Sequence, residues 1–566
     1  MNIKEEIKKI LQPIATEGKI DLTEPPKPEM GDLSLACFAL AKEMKKNPAE
    51  LAKEIKEKID ASKNIVGGLI ERVEVLGPYV NFFLNSQILA KNVLSAAEKK
   101  DFGQSKLGKG KKIMVEFAHP NTHKAFHIGH LRNITTGESL ARIFTNAGYK
   151  VVRTNYQGDV GLHIAKCLWG IKHSLADYEA AKKKNVIERA AFLGLVYAKG
   201  GRAYEADEKA KQEIAVINEE IYSGADKEIN KIYKETRGWS LEYFNQIYKR
   251  VGANFDRLYF ESEVFKRGKK LVLENLKQGI FKESQGAVIF EGEKYGLHNR
   301  VFLNNKELPT YEAKDLALAE LQLREYKPEI IFHVVGKEQT EYFKVVFKAL
   351  ESVLPYSQGK EHHLVYGWVT LKEGKMSSRT GNVILGEWLL EEIKKKIRAL
   401  VGDHQLKNAE EVAEKVAIAA VKYSFLRTNA VNDIAFDINE SISLTGDSGP
   451  YLLYIVARIR SILEKADKLK KCKTTDHKPE EAEKKLLLVL ANYPDVVEKA
   501  AVEHDPSKIA HYLLSLAQAF NNFYDKCPVL KVEGGSLQFR LNLIKLVSKV
   551  MSKGLFLLGI DTVEKM

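Results

Sequence analysis

The stretch Glu116 to Arg132, EFAHPNTHKAFHIGHLR, leaves this chain few choices. The apolar run Ile113 to Val115 predicts a buried strand that stops at a Pro-Asn turn. From Gly129 the residues Leu131, Ile134, Leu140, Ile143 and Phe144 recur on one helical face. Strand, loop and helix in that order build an open parallel sheet. Ligands of such sheets lie at the carboxyl ends of the strands, where helix N-termini offer N–H groups and partial positive charge to phosphates. His127 and His130 can donate hydrogen bonds to phosphate oxygens, and Gly129 lacks the Cβ that would hold a nucleotide off the backbone. The loop is therefore a candidate triphosphate site.

A second basic motif comes much later, at Lys375-Met376-Ser377-Ser378-Arg379, in a polar loop flanked by Gly374 and Gly381. A mobile basic loop of this kind can close on pyrophosphate. Alone, the first would pass for two ordinary histidines at a helix start and the second for a solvated loop; their order in one α/β region is what gives them weight.

With 566 residues the chain is too long for one core. No apolar run approaches the ~20 residues needed to span a bilayer. The start MNIKEEIKKI lacks the apolar centre of a signal peptide, so the expected location is the cytoplasm. Cys37, Cys167, Cys472 and Cys527 are scattered without metal-ligand spacing, which predicts reduced thiols and no structural zinc. A formal net charge of +13 favours a polyanionic partner, because each neutralised phosphate releases counterions. Charge does not name that partner, and lysine runs such as Lys182 to Lys184 read as solvated helix faces.

The expected fold is multidomain: a small α+β N-terminal domain (1–105), an α/β Rossmann-like catalytic domain (106–400) with a mainly helical insertion near 170–263, and an all-α C-terminal bundle (401–566). In the first, Asn47 reads as the cap of a helix burying Leu51, Ile55 and Ile59, and Gly77-Pro78 as the turn of a hairpin between Arg72–Leu76 and Tyr79–Leu84. Gly103 to Lys112, with three glycines and four lysines, reads as a flexible basic linker. Glu329 to Val335 predicts a strand that delivers Gln339 just past its carboxyl end. The last part carries five amphipathic patterns, one of them broken near Pro494. Tyr451, Tyr454, Arg458 and Arg460 recur along one of these helices, where they can serve nucleic acid or core.

The two motifs together resemble the H-I-G-H and K-M-S-K-S signatures of class I aminoacyl-tRNA synthetases. Further stretches resemble the arginyl-tRNA synthetase family: VEFAHPN before the first motif, NYQGDVG at 155–161, YEAKD at 311–315, GKEQTEYF at 336–343, the long run from Asn432 to Leu463, and LAQAFNNFYDKCPVL from Leu516. The resemblance runs nearly end to end. It implies a class I enzyme that joins L-arginine and ATP into an adenylate, with Mg2+ on the triphosphate, and passes the arginyl group to tRNA, which is also needed for activation. It implies no membrane partner, and the expected assembly is a monomer.

By the same resemblance Glu116 and Asp315 read the guanidinium, Tyr311 and Gln339 add contacts, and Asn121 holds the amino and carboxylate end. His127, Gly129, His130, Lys375, Met376 and Ser377 serve ATP. Chemistry agrees, since a planar, forked, permanently charged group needs carboxylates that accept parallel hydrogen bonds. One departure stands out: Ser378 replaces the lysine most class I enzymes carry, and Lys124, three residues before His127, can supply the missing cation. The alternatives are another class I synthetase and a catalytically inactive tRNA-binding paralogue; intact His127, His130 and Lys375 speak against the latter.

Overall fold

The computed structural model describes residues 3–13, 20–61, 68–372, 384–401, 408–467 and 477–566. Strands are numbered β1 to β14 in chain order. The N-terminal unit holds β1 (Leu22–Thr23), β2 (Leu33–Ala36), β3 (Ile70–Leu76) and β4 (Tyr79–Leu84) in an antiparallel sheet of order β1-β2-β4-β3. The hairpin turns at Gly77, whose φ of +59° is a conformation glycine adopts without strain. Asn47 Oδ1 accepts from the N–H groups of Ala49 and Glu50 at 2.9 and 3.3 Å, capping the Pro48–Ala61 helix that buries Leu51, Ile55 and Ile59.

The central sheet is built from β5 (Lys112–Glu116), β6 (Lys150–Gln157), β7 (Arg257–Phe260), β11 (Ile330–Gly336) and β12 (Glu361–Tyr366). Its order is β12-β11-β5-β6-β7, with every pair parallel. The chain moves from β5 to one side through β6 and β7 and returns on the other through β11 and β12. The strand order therefore reverses between β5 and β11, where a crevice opens at the carboxyl ends. Register then sets which side chains meet there: Glu116 stands opposite Thr154 of β6 and His333 of β11.

Between β6 and β7 runs a helical excursion, Leu162–Lys172 through Lys227–Arg250, with a core of its own around Ile164, Trp169, Ile214 and Trp239. It begins before residue 170. The segment Arg257–Phe260, which the sequence placed inside the excursion, is the edge strand of the sheet. A small antiparallel sheet of β8 (Lys282–Ser284), β9 (Ala287–Phe290) and β10 (Arg300–Leu303) follows and has no counterpart in the sequence reading. Finally β13 (Val369–Leu371) pairs in parallel with β14 (Ile434–Phe436).

The C-terminal helices are Ala409–Leu426, Gly449–Ala466, Glu481–Ala491, Tyr493–Val502, Ser507–Lys526 and Gly534–Leu557, with the short turn Ile438–Ser441. The break falls at Asn492, ahead of Pro494, which sits in the first turn of the next helix where its missing N–H costs nothing. On the Gly449–Ala466 helix Tyr451 is core and accepts from Asn521 Nδ2, and Arg460 holds the Val563 carbonyl at 2.7 Å. Tyr454 remains exposed, and Arg458 lies 4.4 Å over the Tyr524 ring.

The stretch from Gly103 to Lys112 is not a loose linker. Gly108 N donates to Ala147 O and Gly110 N to Gly148 O, both at 2.9 Å, and a Cβ on Gly103 would overlap the Tyr493 ring. Gly103 serves close packing against Tyr493 and Gly108 against Tyr149, which the sequence alone cannot tell from flexibility.

Candidate active site

β5 ends at Glu116, and the backbone after it is strained: Ala118, His119 and His123 have φ of +81°, +49° and +62°. Each left-handed non-glycine residue costs about 1–3 kcal/mol and persists only where neighbours over-determine it. Here they do. Ala118 N donates to Asn133 Oδ1 at 2.6 Å, His119 N to Asn155 Oδ1 at 3.1 Å, Thr122 N to Gly158 O at 2.9 Å and His123 N to Ser240 Oγ at 2.9 Å. Asn133 also donates to Val334 O at 2.8 Å, tying the loop to β11. The expected Pro-Asn turn is thus a clamped loop fed by the sheet and the helical excursion.

Beside this loop a cavity of about 540 Å3 opens, and it brings together the five residues proposed for the amino acid. Glu116 comes from the end of β5, Asn121 from the loop, Tyr311 and Asp315 from the Tyr311–Tyr326 helix, and Gln339 from the turn after β11. Six further acidic or basic residues line it that sequence reasoning did not single out: His119, Glu261, Arg300, His333, Glu338 and Glu361. Glu261 opens the helix right after β7, so an acidic residue at a strand's carboxyl end was a usable signal. His333 was another, as the lone ionisable residue in the apolar run IIFHVV.

The cavity suits a cation. Its lining holds the carboxyl groups of Glu116, Glu261, Asp315, Glu338 and Glu361 against Arg300 and His333. Glu116 accepts from Gln322 Nε2 and lies 2.9 Å from His333 Nδ1. Burial works to raise its pKa, but the His333 charge and hydrogen bonds outweigh this and hold Glu116 below the usual carboxylate range. Asp315 accepts from Tyr342 Oη at 2.6 Å, yet burial, helped by Glu116 and Glu261, pushes it up to about 7. Glu261 is raised by burial and is paired with Lys314 at 2.6 Å. Among the described residues His119 Nε2, Tyr156 Oη, Arg300 Nε and Glu361 Oε1 are buried without a hydrogen-bond partner, and all four side chains line this cavity. Such orphans call for a polar ligand.

Gly158 shows how tightly the cavity wall is built at Asn121, since a Cβ there would overlap Asn121 Oδ1. Gly158→Ala should therefore turn Asn121 out of place and lower kcat/KM for the amino acid by about 10–100-fold, for a shift of roughly 1 Å. Steady-state kinetics together with unchanged thermal unfolding would check this; wild-type kinetics in the variant would contradict the assigned packing.

The residues expected to meet phosphate, His127, Gly129 and His130, are not in the lining of this cavity. His127 caps the Ile128–Asn146 helix: Gly129 N donates to His127 Nδ1 at 3.1 Å, and His127 N to His130 Nδ1 at 3.2 Å. A ring nitrogen that accepts from N–H carries a lone pair, so the remaining proton of each neutral imidazole sits on Nε2, ready to donate. Burial lowers both groups, His127 to about 4 and His130 well below the ordinary value, so both are neutral at physiological pH. The rings stack with centroids 3.7 Å apart, and a Cβ on Gly129 would meet the His127 ring at 2.9 Å. Gly129 thus makes room for an imidazole as well as for a ligand.

Lys124 stands 5.6 Å over the Tyr197 ring. Burial lowers its pKa, with Lys166 adding to that and Glu261 opposing it, and its charge in turn is felt at His127. Ile128 N donates to Ile384 O and Gly386 N to Phe126 O, both at 2.9 Å. Arg132, buried, donates to the carbonyls of Gly367, Trp368, Ala430 and Asn432 at 2.5–2.9 Å, binding the motif helix to the segments around β13 and β14. Lys375, Met376 and Ser377 lie outside the described residues, as does Cys472. Among the described residues Glu480, Glu483 and Cys527 are close enough to share a cation, but Arg540 already bonds both carboxylates.

Comparison with known proteins agrees with this geometry. The family model for the class I (R) tRNA synthetase catalytic domain matches residues 90–438, the arginyl-tRNA synthetase N-terminal domain matches 1–84, and the DALR anticodon binding domain matches 452–566. The chain is 35% identical to the arginine–tRNA ligase of Treponema denticola, over 97% of this chain and 95% of that protein. It is 34% identical to that of Clostridium acetobutylicum, over 100% and 99%. Among solved structures, Thermus thermophilus arginyl-tRNA synthetase superposes with a TM-score of 0.82 at 27% identity, covering 100% of this chain and 99% of that one. With its sheet, its clamped motif loop and full-length relatives all in agreement, the chain belongs to the arginyl-tRNA synthetase family of class I tRNA synthetases.

Proposed function

We propose that the acidic cavity is the arginine site of an arginine–tRNA ligase and that the adjoining motif loop grips ATP. The observation that carries this is a cavity rich in carboxylates set against two neutral imidazoles with free Nε2–H groups at a helix N-terminus. Asp315 and Glu116 receive the guanidinium, Tyr311 and Gln339 border it, and Asn121 meets the amino and carboxylate end. ATP enters with its Mg2+. His127, His130, the helix N-terminus, Lys124 and Lys375 receive its phosphates, with Gly129, Met376 and Ser377 along the nucleotide.

The arginine carboxylate oxygen attacks the α-phosphorus, the bond to the β-phosphate oxygen breaks, and pyrophosphate leaves. A ribose hydroxyl at the tRNA 3' end then attacks the acyl carbon, and AMP leaves with the electron pair of the broken acyl–oxygen bond. No side chain is acylated; catalysis is positioning plus stabilisation of charge on phosphate. The 1–105 unit is assigned to the outer corner of the tRNA and the 401–566 helices to the anticodon. No helix among the described residues is long and apolar enough to cross a membrane. A cytoplasmic monomer is the state proposed with this reading.

ATP–pyrophosphate exchange with each standard amino acid, run with tRNA present, tests the assignment: arginine alone should support it. Another amino acid supporting exchange would move the chain to a different specificity, and no exchange at all would leave a tRNA-binding protein. Lys124→Ala should lower arginine-dependent exchange by about 10^2-fold, the effect of losing one charge contact in the transition state. Unchanged exchange would remove Lys124 as the substitute for the lysine that Ser378 displaces.

A further inference from the structure

β11 is apolar except for its fourth residue, His333. In register it stands beside Glu116 of β5 and His363 of β12. Its Nδ1 lies 2.9 Å from Glu116 Oε1 and its Nε2 2.7 Å from Glu361 Oε2, with all three side chains buried. A neutral imidazole has one N–H and cannot donate to two carboxylates; a ring that serves both carries two protons and a positive charge. Phe343 and Phe347 pack on it with centroids at 5.5 and 5.6 Å.

The other ionisable groups facing the ring are Asp315 from the Tyr311–Tyr326 helix, His119 from the motif loop and His363 from β12. Burial lowers the pKa of both histidines, and His363 Nε2 is spent on the Val335 carbonyl at 3.0 Å. Neither is hydrogen-bonded to the Glu116 carboxylate. The imidazole that bonds it is His333. Burial acts against that charge, but Glu116 and Glu361 together push the group up to about 10.

We propose that His333 is a positioning residue for arginine selection: an imidazolium shared by Glu116 and Glu361 that fixes the Glu116 carboxylate and keeps it charged while the cavity is empty. This rests on the reading of the cavity as the arginine site. Two buried carboxylates in one cavity, such as Glu116 and Asp315, whose charges oppose each other, do not both ionise readily without a cation nearby. With His333 in place Glu116 is ionised and Asp315, near its midpoint at neutral pH, carries the proton that an arriving guanidinium displaces. Without that charge Glu116 would also take up a proton, and arginine would have to expel two.

His333→Gln keeps a hydrogen-bond donor and removes the charge. At pH 7 the KM for arginine should rise by about tenfold or more, with kcat within about threefold, because the guanidinium pocket is bound equally in ground and transition states. The KM difference should shrink towards pH 9, and calorimetry of arginine binding in buffers of different ionisation enthalpy should count more protons released than for the wild type. A KM defect equal at every pH with an unchanged proton count would reduce His333 to packing and overturn the proposal. The wild-type protein provides a test that needs no variant. Spectra of 15N-labelled histidine at pH 8.5 should show an imidazolium that shifts when arginine is added, and a neutral ring would be equally decisive against it. Failure of the wild type to use arginine at all would count against the function, not against His333.

Discussion

Exchanging Asp315 for asparagine should stabilise the arginine-free protein while abolishing its use of arginine. In the folded state burial pushes Asp315 up to about 7, from 3.8 in the unfolded chain. The folded protein thus binds an extra proton between those values. The stability linked to this is fully present below pH 3.8 and is lost as pH rises through 7. Above that, holding the bare carboxylate costs about 4 kcal/mol. Asparagine removes the cost and still accepts from Tyr342. The variant should match wild type near pH 4 and exceed it in Tm at pH 8, a gain that arginine restores to the wild type alone.

The loss of function should be large. A guanidinium buried opposite a missing charge forfeits about 3–5 kcal/mol, so kcat/KM for arginine should drop by about 10^2–10^4-fold. The same titration makes arginine binding release a proton, so wild-type affinity for arginine should climb up to pH 7 and then level off. Unfolding curves that run parallel for the two proteins from pH 5 to 8 would refute the buried charge. An Asp315→Asn enzyme with normal arginine kinetics would refute the pocket.

His127→Asn should do the opposite, costing activity while sparing the fold. Asparagine is among the best helix caps, so Gly129 N keeps an acceptor. What disappears is the neutral Nε2–H donor proposed to meet phosphate, and removal of one such donor typically costs about 10^2–10^3-fold in kcat. The wild-type imidazole also makes the fold acid-sensitive. Its folded pKa of about 4 lies below the unfolded 6.5, so stability present above 6.5 is lost as pH falls towards 4. The variant should keep its Tm at pH 8 and lose less than wild type on acidification to pH 5. A fall in Tm at pH 8 with little change in kcat would make His127 a cap and nothing more.

Much of this was legible because it depends on neighbours in sequence. The strand before Glu116 and the helix after Gly129 follow from apolar periodicity. Asn47 caps because a side-chain acceptor stands two and three residues before orphan N–H groups, and Pro494 starts a helix because it cannot continue one. Gln339 falls just past β11, as the strand pattern required. The misreadings share the opposite cause. Gly103 to Lys112 looked flexible because the surfaces its glycines touch, Tyr493 and the end of the motif helix, lie far along the chain or behind a turn. Arg257–Phe260 was absorbed into the excursion because four residues carry no period, and only pairing with β6 makes them a strand.

What the chain determined by itself was the inventory: a parallel-sheet domain between an α+β unit and a helical one, two motifs suited to a triphosphate, and acidic residues able to face a guanidinium. Only tertiary structure decided the charge states. Glu116 and Asp315 are both buried carboxylates in one cavity, yet one is held ionised and the other near its midpoint at neutral pH. The difference is His333, placed beside Glu116 by the register of β11 on β5. In a low-dielectric cavity a neighbour's charge a few ångströms away outweighs the residue's own chemistry, and such neighbours come from the packing of strands more than two hundred positions apart.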